Sequence, residues 1–290
     1  MRNIFKYRCF HKVCFTLFII AGAVLYGFFK IDFQREGVIV AVLDTGIDAD
    51  HPLLEGKVMQ GYDFVRFRRD TDDANGHGTH VAGIIATIAP EADLLPVRVI
   101  NDQDQVRRSW LAILYAVVKG ADIINMSYAE KYNVATDLAI RFARAKGVVL
   151  VASSGNLGVD DVFYPAKYEG VYSVAGWDDH HGRIFGNVGR QVKYAAPGFY
   201  IQSAATGGGY TIKSGTSMSA AYMSGVIAHL KADSMANPDE CLECRLNELA
   251  MVVGASHELR VIQLSGIGEE AVKQWERLQS LSVATSVALN

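Results

Sequence analysis

The chain has little of what marks metal-binding or nucleic-acid-binding proteins. Its 290 residues include only four cysteines, which form two close pairs, Cys9 with Cys14 and Cys241 with Cys244. No pair of histidines accompanies the second pair at zinc-ligand spacing, so a local disulfide is the expected arrangement there. The formal net charge is only −3, which gives no electrostatic reason to expect a nucleic-acid partner.

Signs of a second domain are also missing from the sequence. It has no internal repeat, no low-complexity stretch and no linker rich in Gly, Pro or Ser. Half of its residues are hydrophobic and 20% are charged, a balance that is typical of a globular fold and argues against disorder. The length suits one large α/β domain with a well-buried core.

One stretch is apolar for long enough to enter a membrane. Residues 1–12 are basic, and residues 13–29 form an uncharged apolar run that Lys30 closes. The run is at the lower limit for a spanning helix and slightly long for the apolar part of a signal peptide. We predict a signal anchor with its basic end in the cytoplasm, so that the rest of the chain lies outside the cytoplasm as a single-pass membrane protein. Cleavage at Ala21-Gly22-Ala23 and secretion is the alternative.

Strand-like and helical segments alternate along the rest of the chain. Strands are predicted at about 38–43, 93–100, 122–126, 148–151 and 170–175. Helices are predicted at about 77–88, 107–119, 135–146 and 217–230. Such alternation predicts a mostly parallel sheet with helices on both faces, a three-layer α/β/α fold.

The tail of the chain has a different pattern. Residues 240–253 and 269–281 each have a pattern typical of a helix. We therefore expect one α/β domain at 37–232, preceded by a short linker at 30–36. A helical extension at 233–290 is expected to pack on that domain.

Three segments carry the polar residues of greatest chemical interest. They are VAVLDTG at 40–46, NGHGTHVAG at 75–83 and SGTSMSA at 214–220. These segments supply Asp44, His77 and Ser217, in that order. A serine hydroxyl is a poor nucleophile until an imidazole takes its proton, and the imidazole needs a buried carboxylate to fix its tautomer. The three residue types together predict nucleophilic catalysis.

The predicted elements place these residues where such chemistry is feasible. Asp44 ends a buried strand, and the carboxyl ends of parallel strands are where open α/β sheets bind ligands. His77 and Ser217 each lie near the start of a helix. An oxyanion formed at Ser217 would therefore lie close to backbone N–H groups and to the positive end of the helix dipole.

With these motifs in this order, the chain resembles the subtilisin-like serine protease family over about residues 37–230. A fourth segment, ASSGN at 152–156, strengthens the resemblance, which implies that Asn156 donates a hydrogen bond to the oxyanion. The resemblance further implies a serine endopeptidase that acts on peptide or protein substrates through an acyl-enzyme. Ser217 is then the nucleophile, His77 the general base and acid, and Asp44 the residue that orients His77. This chemistry needs no cofactor.

The resemblance also implies which residues bind the substrate. Ser127, Tyr128 and Ala129 would form one wall of the cleft, and Ser153, Ser154 and Gly155 the other. Phe163 would narrow the base of the pocket, and none of these residues is acidic, so a strict preference for basic substrates has no support. Arg108, Leu111 and Tyr128 would surround a more distant substrate side chain.

The sequence departs from the family pattern in three places. Many secreted members carry a folding prodomain, for which residues 30–36 leave no room, so we expect unaided folding or a separate folding or inhibitory partner. A calcium-binding insertion that some members carry in the His77 helix is missing, and no metal is predicted. Ala221 stands where the family usually has proline, which leaves open a peptide ligase or cyclase with a roomier site. A catalytically silent peptide-binding protein is a further alternative.

Overall fold

The computed structural model describes residues 37–234, 240–253 and 258–287. The predicted membrane segment at 13–29, with residues 1–12 and 30–36, lies outside the described residues. Within the described part of the chain, we find no helix whose length and apolar character would let it cross a bilayer.

The described residues contain twelve strands and six helices. The strands are β1 (Ile39–Asp44), β2 (Tyr62–Asp63), β3 (Asp93–Arg98), β4 (Ile123–Met126), β5 (Val149–Ser153), β6 (Tyr172–Asp178), β7 (Arg183–Phe185), β8 (Val192–Pro197), β9 (Ile201–Ala204), β10 (Tyr210–Lys213), β11 (Ala250–Val253) and β12 (Leu259–Ile262). The helices are α1 (His77–Ile88), α2 (Ser109–Val118), α3 (Val134–Ala145), α4 (Thr216–Ser234), α5 (Leu242–Glu248) and α6 (Glu269–Val287), with a 3₁₀ turn at Leu264–Gly266.

Ten of the strands form one mostly parallel sheet. Its order is β11-β12-β8-β6-β5-β4-β1-β3-β2, and β7 pairs with β6. All neighbours from β12 to β2 run parallel, whereas β11 and β7 are antiparallel to their partners. Strands β9 and β10 form a separate antiparallel hairpin. The sequence prediction of a mostly parallel sheet is therefore confirmed.

Helices cover both faces of this sheet. Successive side chains of a buried strand point to opposite faces, so both faces are apolar and both are covered. Val42 of β1 belongs to a core cluster with Ile85 of α1 and Val226 of α4. Leu43, the next residue, belongs to the opposite cluster, which contains Ile113 of α2. The two clusters give the three-layer α/β/α arrangement.

The predicted helix at 240–253 is wrong in its second half. Helix α5 ends at Glu248, and residues 250–253 form strand β11. Strand β11 pairs with β12, and β12 pairs in parallel with β8, where Val261 lies opposite Ala195. An edge strand leaves backbone N–H and C=O groups unpaired, and β12 satisfies those of β8. The extension at 233–290 is consequently not purely helical, since it adds two strands to the sheet.

The observed bounds of other elements differ from the predicted ones for local reasons. Helix α2 begins at Ser109, because Arg108 adopts a left-handed conformation with φ of 54°. Strand β6 starts later than predicted and continues to Asp178, where it pairs with the short β7. Strand β8 lies in a stretch for which the sequence analysis predicted no regular element.

Candidate active site

Asp44 is the last residue of β1 and is completely buried. Its Oδ1 accepts a hydrogen bond from the backbone N–H of Thr45, at 2.8 Å, and lies 2.7 Å from Nδ1 of His77. The Thr45 hydroxyl accepts a hydrogen bond from the backbone N–H of Gly78, at 2.9 Å. The carboxyl end of β1 is thus bonded directly to the first turn of α1.

A carboxylate that sequence reasoning missed holds the start of α1. Asp73 is buried, and its Oδ1 accepts hydrogen bonds from the N–H groups of Asn75 and Gly76, at 3.1 and 2.9 Å. Its Oδ2 accepts from the N–H and the hydroxyl of Thr79, at 2.9 and 2.7 Å. The first N–H groups of a helix lack partners within the helix, so a carboxylate there stabilises the helix start and the position of His77. An acidic residue just before the predicted helix was the available signal.

The pKa of His77 is raised above its ordinary value of 6.5. Burial is the largest single effect and lowers this pKa, because it disfavours the charged imidazolium. The negative charge of Asp44 and the hydrogen bond to it act in the opposite direction, and together with the charge of Asp73 they outweigh burial. A quarter of the His77 side chain, 25%, is exposed. The contact between Nδ1 and Asp44 therefore fixes the orientation of the ring, while part of the side chain stays accessible to solvent.

Ser217 lies in the first turn of α4 and is hydrogen-bonded to the segment after β4. Its hydroxyl donates to the carbonyl of Ser127 at 3.3 Å, and the Ser127 hydroxyl donates to the carbonyl of Ser217 at 3.1 Å. Nδ2 of Asn125 donates to the Ser127 hydroxyl at 2.9 Å, and the Ser224 hydroxyl donates to Asn125 Oδ1 at 3.0 Å. Sequence reasoning missed Asn125 and Ser224, whose polar side chains in apolar segments were the only signal. This buried network fixes α4 against β4.

Asn156 follows β5 and is exposed, and its amide is fixed by the residue before Ser217. The backbone N–H and the hydroxyl of Thr216 both donate to Asn156 Oδ1, at 2.9 and 3.1 Å. The Thr216 hydroxyl also accepts from the N–H of Gly155 at 3.2 Å. Oδ1 is therefore the acceptor towards Thr216, and Nδ2 is the donor end of the Asn156 amide.

The remaining residues predicted to bind substrate lie at or after the carboxyl ends of β4 and β5, which are neighbours in the sheet. Ser127, Tyr128, Ser153 and Ser154 are buried, Gly155 and Phe163 are half-buried, and Ala129 is exposed. The N–H of Phe163 donates to the carbonyl of Ser154 at 3.2 Å. A Cβ atom on Gly155 would stand 2.7 Å from the Phe163 ring. The structure therefore brings Phe163 against the second of the two segments.

The residues predicted to surround a more distant substrate side chain are placed differently from one another. Tyr128 is buried and belongs to a core cluster against which Leu111 packs. The Arg108 guanidinium lies over the ring of Phe67, 4.4 Å from its centroid, and donates to the carbonyl of Phe64 at 2.9 Å. Arg108 thus fastens the loop after β2 to the start of α2.

The residues near His77 do not fit the calcium site that some family members carry. Helix α1 runs without interruption from His77 to Ile88. Among the residues that the structure describes, no group of three or more His, Cys, Asp and Glu side chains could hold a metal ion. Cys241 and Cys244 are joined in a disulfide, which confirms the local pairing predicted from the sequence.

Comparisons with known proteins identify the family of the chain. Residues 35–248 match the Subtilase family, which covers most of the chain. The chain is 40% identical over 216 residues to the thermophilic serine proteinase of Bacillus sp. (strain AK1), an alignment that covers 69% of this chain and 54% of that protein. It is 37% identical over 209 residues to thermitase of Thermoactinomyces vulgaris, covering 67% of this chain and 74% of thermitase. The chain thus spans about half the length of the first relative.

Two solved structures have the same fold. A cold-adapted subtilisin-like serine proteinase is 30% identical and superposes with a TM-score of 0.70, over 78% of this chain and 88% of that one. The protease domain of PatA is 28% identical and superposes with a TM-score of 0.69, over 83% of this chain and 95% of that one. On the match of residues 35–248 and these identities, the chain belongs to the subtilase family.

Proposed function

We propose that this protein is a subtilisin-like serine endopeptidase that hydrolyses peptide bonds in peptide or protein substrates. The observation that carries the proposal is the 2.7 Å contact between Asp44 Oδ1 and His77 Nδ1, with Ser217 in the first turn of a helix beside Asn156. A buried carboxylate, an oriented imidazole and a hydroxyl are the groups that acyl transfer to serine needs.

The first half of the reaction forms an acyl-enzyme. The Ser217 hydroxyl turns from the Ser127 carbonyl towards His77, whose Nε2 takes the proton as Oγ bonds to the substrate carbonyl carbon. Asp44 stabilises the resulting imidazolium through Nδ1. His77 then gives the proton to the leaving amine as the peptide C–N bond breaks. In the second half, His77 takes a proton from water as the water oxygen bonds to the acyl carbon. His77 then returns this proton to Ser217 Oγ as the ester C–O bond breaks, which releases the carboxylic acid.

Two N–H donors stabilise the oxyanion that forms in each half. One is Nδ2 of Asn156, whose amide is held by Thr216. The other is the backbone N–H of Ser217, which lies in the first turn of α4, where helix N–H groups have no partner within the helix. Donors fixed before the reaction pay no reorganisation cost when the charge develops.

The substrate side chain before the scissile bond is proposed to lie between segments 127–129 and 153–155. The buried Ser153 and Ser154 side chains leave mainly backbone groups to bind the peptide. Phe163 fills space against Gly155, which favours small side chains.

The alternatives have less support. The ligase reading depends on Ala221, which is fully buried in α4, and the relatives compared above are named as proteases. A silent peptide-binding protein would have no chemical reason to hold Asp44 and His77 in hydrogen-bond contact. Hydrolysis therefore remains the favoured reaction.

The location of the protein is proposed from the sequence alone. The basic segment 1–12 and the apolar run 13–29 support a signal anchor, with the catalytic domain outside the cytoplasm. Secretion after cleavage is the alternative, and a separate folding or inhibitory partner is part of the same proposal.

Labelling with a fluorophosphonate probe tests the proposed function. We expect the full chain to be labelled, and Ser217→Ala and His77→Ala variants with native thermal unfolding to remain unlabelled. Mass spectrometry of a cleaved peptide then identifies hydrolysis products. A folded native chain that takes no label would contradict the proposal, and ligated rather than hydrolysed products would favour the ligase.

A further inference from the structure

A lysine ammonium lies at the start of α1, next to His77. Lys213 is the last residue of the β9–β10 hairpin, and its Nζ donates to the carbonyl of Gly76, the residue before His77, at 3.3 Å. The same hairpin contacts α1 through His80, whose Nε2 lies 3.2 Å from the carbonyls of Ile201 and Thr211. The hairpin thus places a positive charge next to the candidate general base.

The charge of Lys213 lowers the pKa of both His77 and His80. The pKa of His80 is lowered to about 4, first by burial and then by the charge of Lys213. For His77, where burial is the largest effect, Lys213 also lowers the pKa and opposes Asp44. Two histidines in the first turns of α1 therefore lie within electrostatic range of Lys213.

No carboxylate of the described residues lies within 4.0 Å of Lys213 Nζ. The two acidic groups near His77 face other partners: Oδ1 of Asp44 accepts from the Thr45 N–H and lies against His77 Nδ1. Asp73 bonds to the start of α1 through both of its oxygens. An ammonium has three N–H donors, and the Gly76 carbonyl accepts from one of them. The half-buried Lys213 therefore has donors and charge left for a ligand.

Lys213 lies on the side of the site where we expect the leaving half of the substrate, the part after the scissile bond. Under the proposed function, the acyl half lies along the segments at the ends of β4 and β5, where Ser127 and Asn156 bond to Ser217 and Thr216. The leaving amine must lie at His77, because His77 gives it a proton. Under the proposed function, the peptide that continues from that amine leaves the site past Gly76 and His77, where Lys213 is bonded.

We propose that Lys213 selects substrates with an acidic side chain directly after the scissile bond. This inference rests on the proposed function and adds a specificity to it. A carboxylate at that position accepts a charge-assisted hydrogen bond from Nζ, which a neutral amide of the same shape accepts only weakly.

Paired peptides that differ in one group test this inference. Each pair carries Ala before the scissile bond and either Asp or its isostere Asn after it, and kcat/KM is measured for the full chain. We expect the native protein to prefer Asp by about three- to fivefold, the size of a partly exposed ion pair. The ratio is expected to fall to about one in Lys213→Met and below one in Lys213→Glu. Lys213→Arg is expected to retain the preference.

Lys146→Met is the matched control, because Lys146 is exposed and precedes β5, at the opposite end of the strands from the site. It is expected to keep the native ratio. Equal cleavage of the two peptides by the native chain, or an unchanged ratio in Lys213→Met, would overturn this inference alone. Absence of cleavage and of fluorophosphonate labelling in the native chain would overturn the proposed function with it.

Discussion

Thr216 fixes the amide of Asn156 with two hydrogen bonds, from its N–H at 2.9 Å and from its hydroxyl at 3.1 Å. We expect Asn156→Ala to lower kcat by about 100- to 1000-fold with little change in KM, because the donor acts on charge that develops only in the transition state. That magnitude is the one known for a donor of this kind in subtilisin, and relatives of this chain include subtilisins.

Variants of Thr216 test whether its hydroxyl helps to orient the Asn156 amide. Thr216→Val removes the hydroxyl but keeps the shape of the side chain, so the amide loses one of two bonds, and we expect a smaller fall in kcat than for Asn156→Ala. Thr216→Ser keeps the hydroxyl and is expected to restore most of the rate. A valine variant with native kcat would show that the backbone bond alone orients Asn156.

The raised pKa of His77 predicts the pH dependence of activity. General-base catalysis needs neutral imidazole, so the acid limb of kcat/KM is expected to lie above pH 6.5. Asp44→Asn removes the charge that raises this pKa and leaves burial, which lowers it, so the limb is expected to move to lower pH. The rate is expected to fall by about 10⁴-fold, because the amide no longer selects the reactive tautomer. A limb that stays in place would mean that Asp44 does not set the pKa of His77.

The His77–Asp44 pair also predicts how stability depends on pH. Its stabilising effect is expected to fall as the pH rises, whereas the activity is expected to rise. Because the pKa of His77 is raised on folding, its contribution to the free energy of unfolding is fully present below pH 6.5. It is lost as the pH rises through the folded-state pKa. Denaturant unfolding of Ser217→Ala, which avoids self-cleavage, measures this term, and adding Asp44→Asn is expected to remove it.

Phe163 predicts the size of the substrate side chain before the scissile bond. Its ring stands where a larger pocket would extend past Gly155, so the native chain is expected to cleave after Ala faster than after Phe. Phe163→Gly is expected to raise kcat/KM for the Phe peptide by about 10- to 100-fold relative to the Ala peptide. Phe163→Leu should be intermediate, and thermal unfolding controls for loss of packing. An unchanged ratio in the glycine variant would place the ring outside the pocket.

The close approach of α1 to β1 requires glycine at position 78. A Cβ atom on Gly78 would collide with the backbone carbonyl of Gly46 and stand 3.1 Å from Cβ of Asp44. We expect Gly78→Ala to lower the free energy of unfolding by about 1–3 kcal/mol and to reduce kcat, since the helix carries His77 away from Asp44. Gly209→Ala is the control, because a Cβ there meets open space, and its unfolding should be native within about 0.5 kcal/mol.

The sequence by itself determined the layers of the fold and the residue types of the site. Buried apolar strands alternate with helices, and local patterning suffices for that because each segment's periodicity depends only on its own side chains. The glycine-flanked segments around Asp44, His77 and Ser217 indicated the chemistry for the same reason. The strand at 250–253 was predicted as part of a helix, because a strand at a sheet edge needs a partner that its own sequence does not contain. Strand β8 was not predicted at all.

Only the tertiary structure decided which groups touch. Thr216 meets Asn156 across 60 residues, Ser217 meets Ser127 across 90, and Lys213 meets Gly76 across 137. The first two contacts depend on the order of parallel strands, whose carboxyl ends meet at one edge however far apart they lie in the chain. The third depends on the packing of the β9–β10 hairpin against α1. A hydrogen bond also requires atoms within about 3 Å, a precision that periodicity cannot supply. The charge of Lys213 beside His77 therefore became visible only in the folded chain.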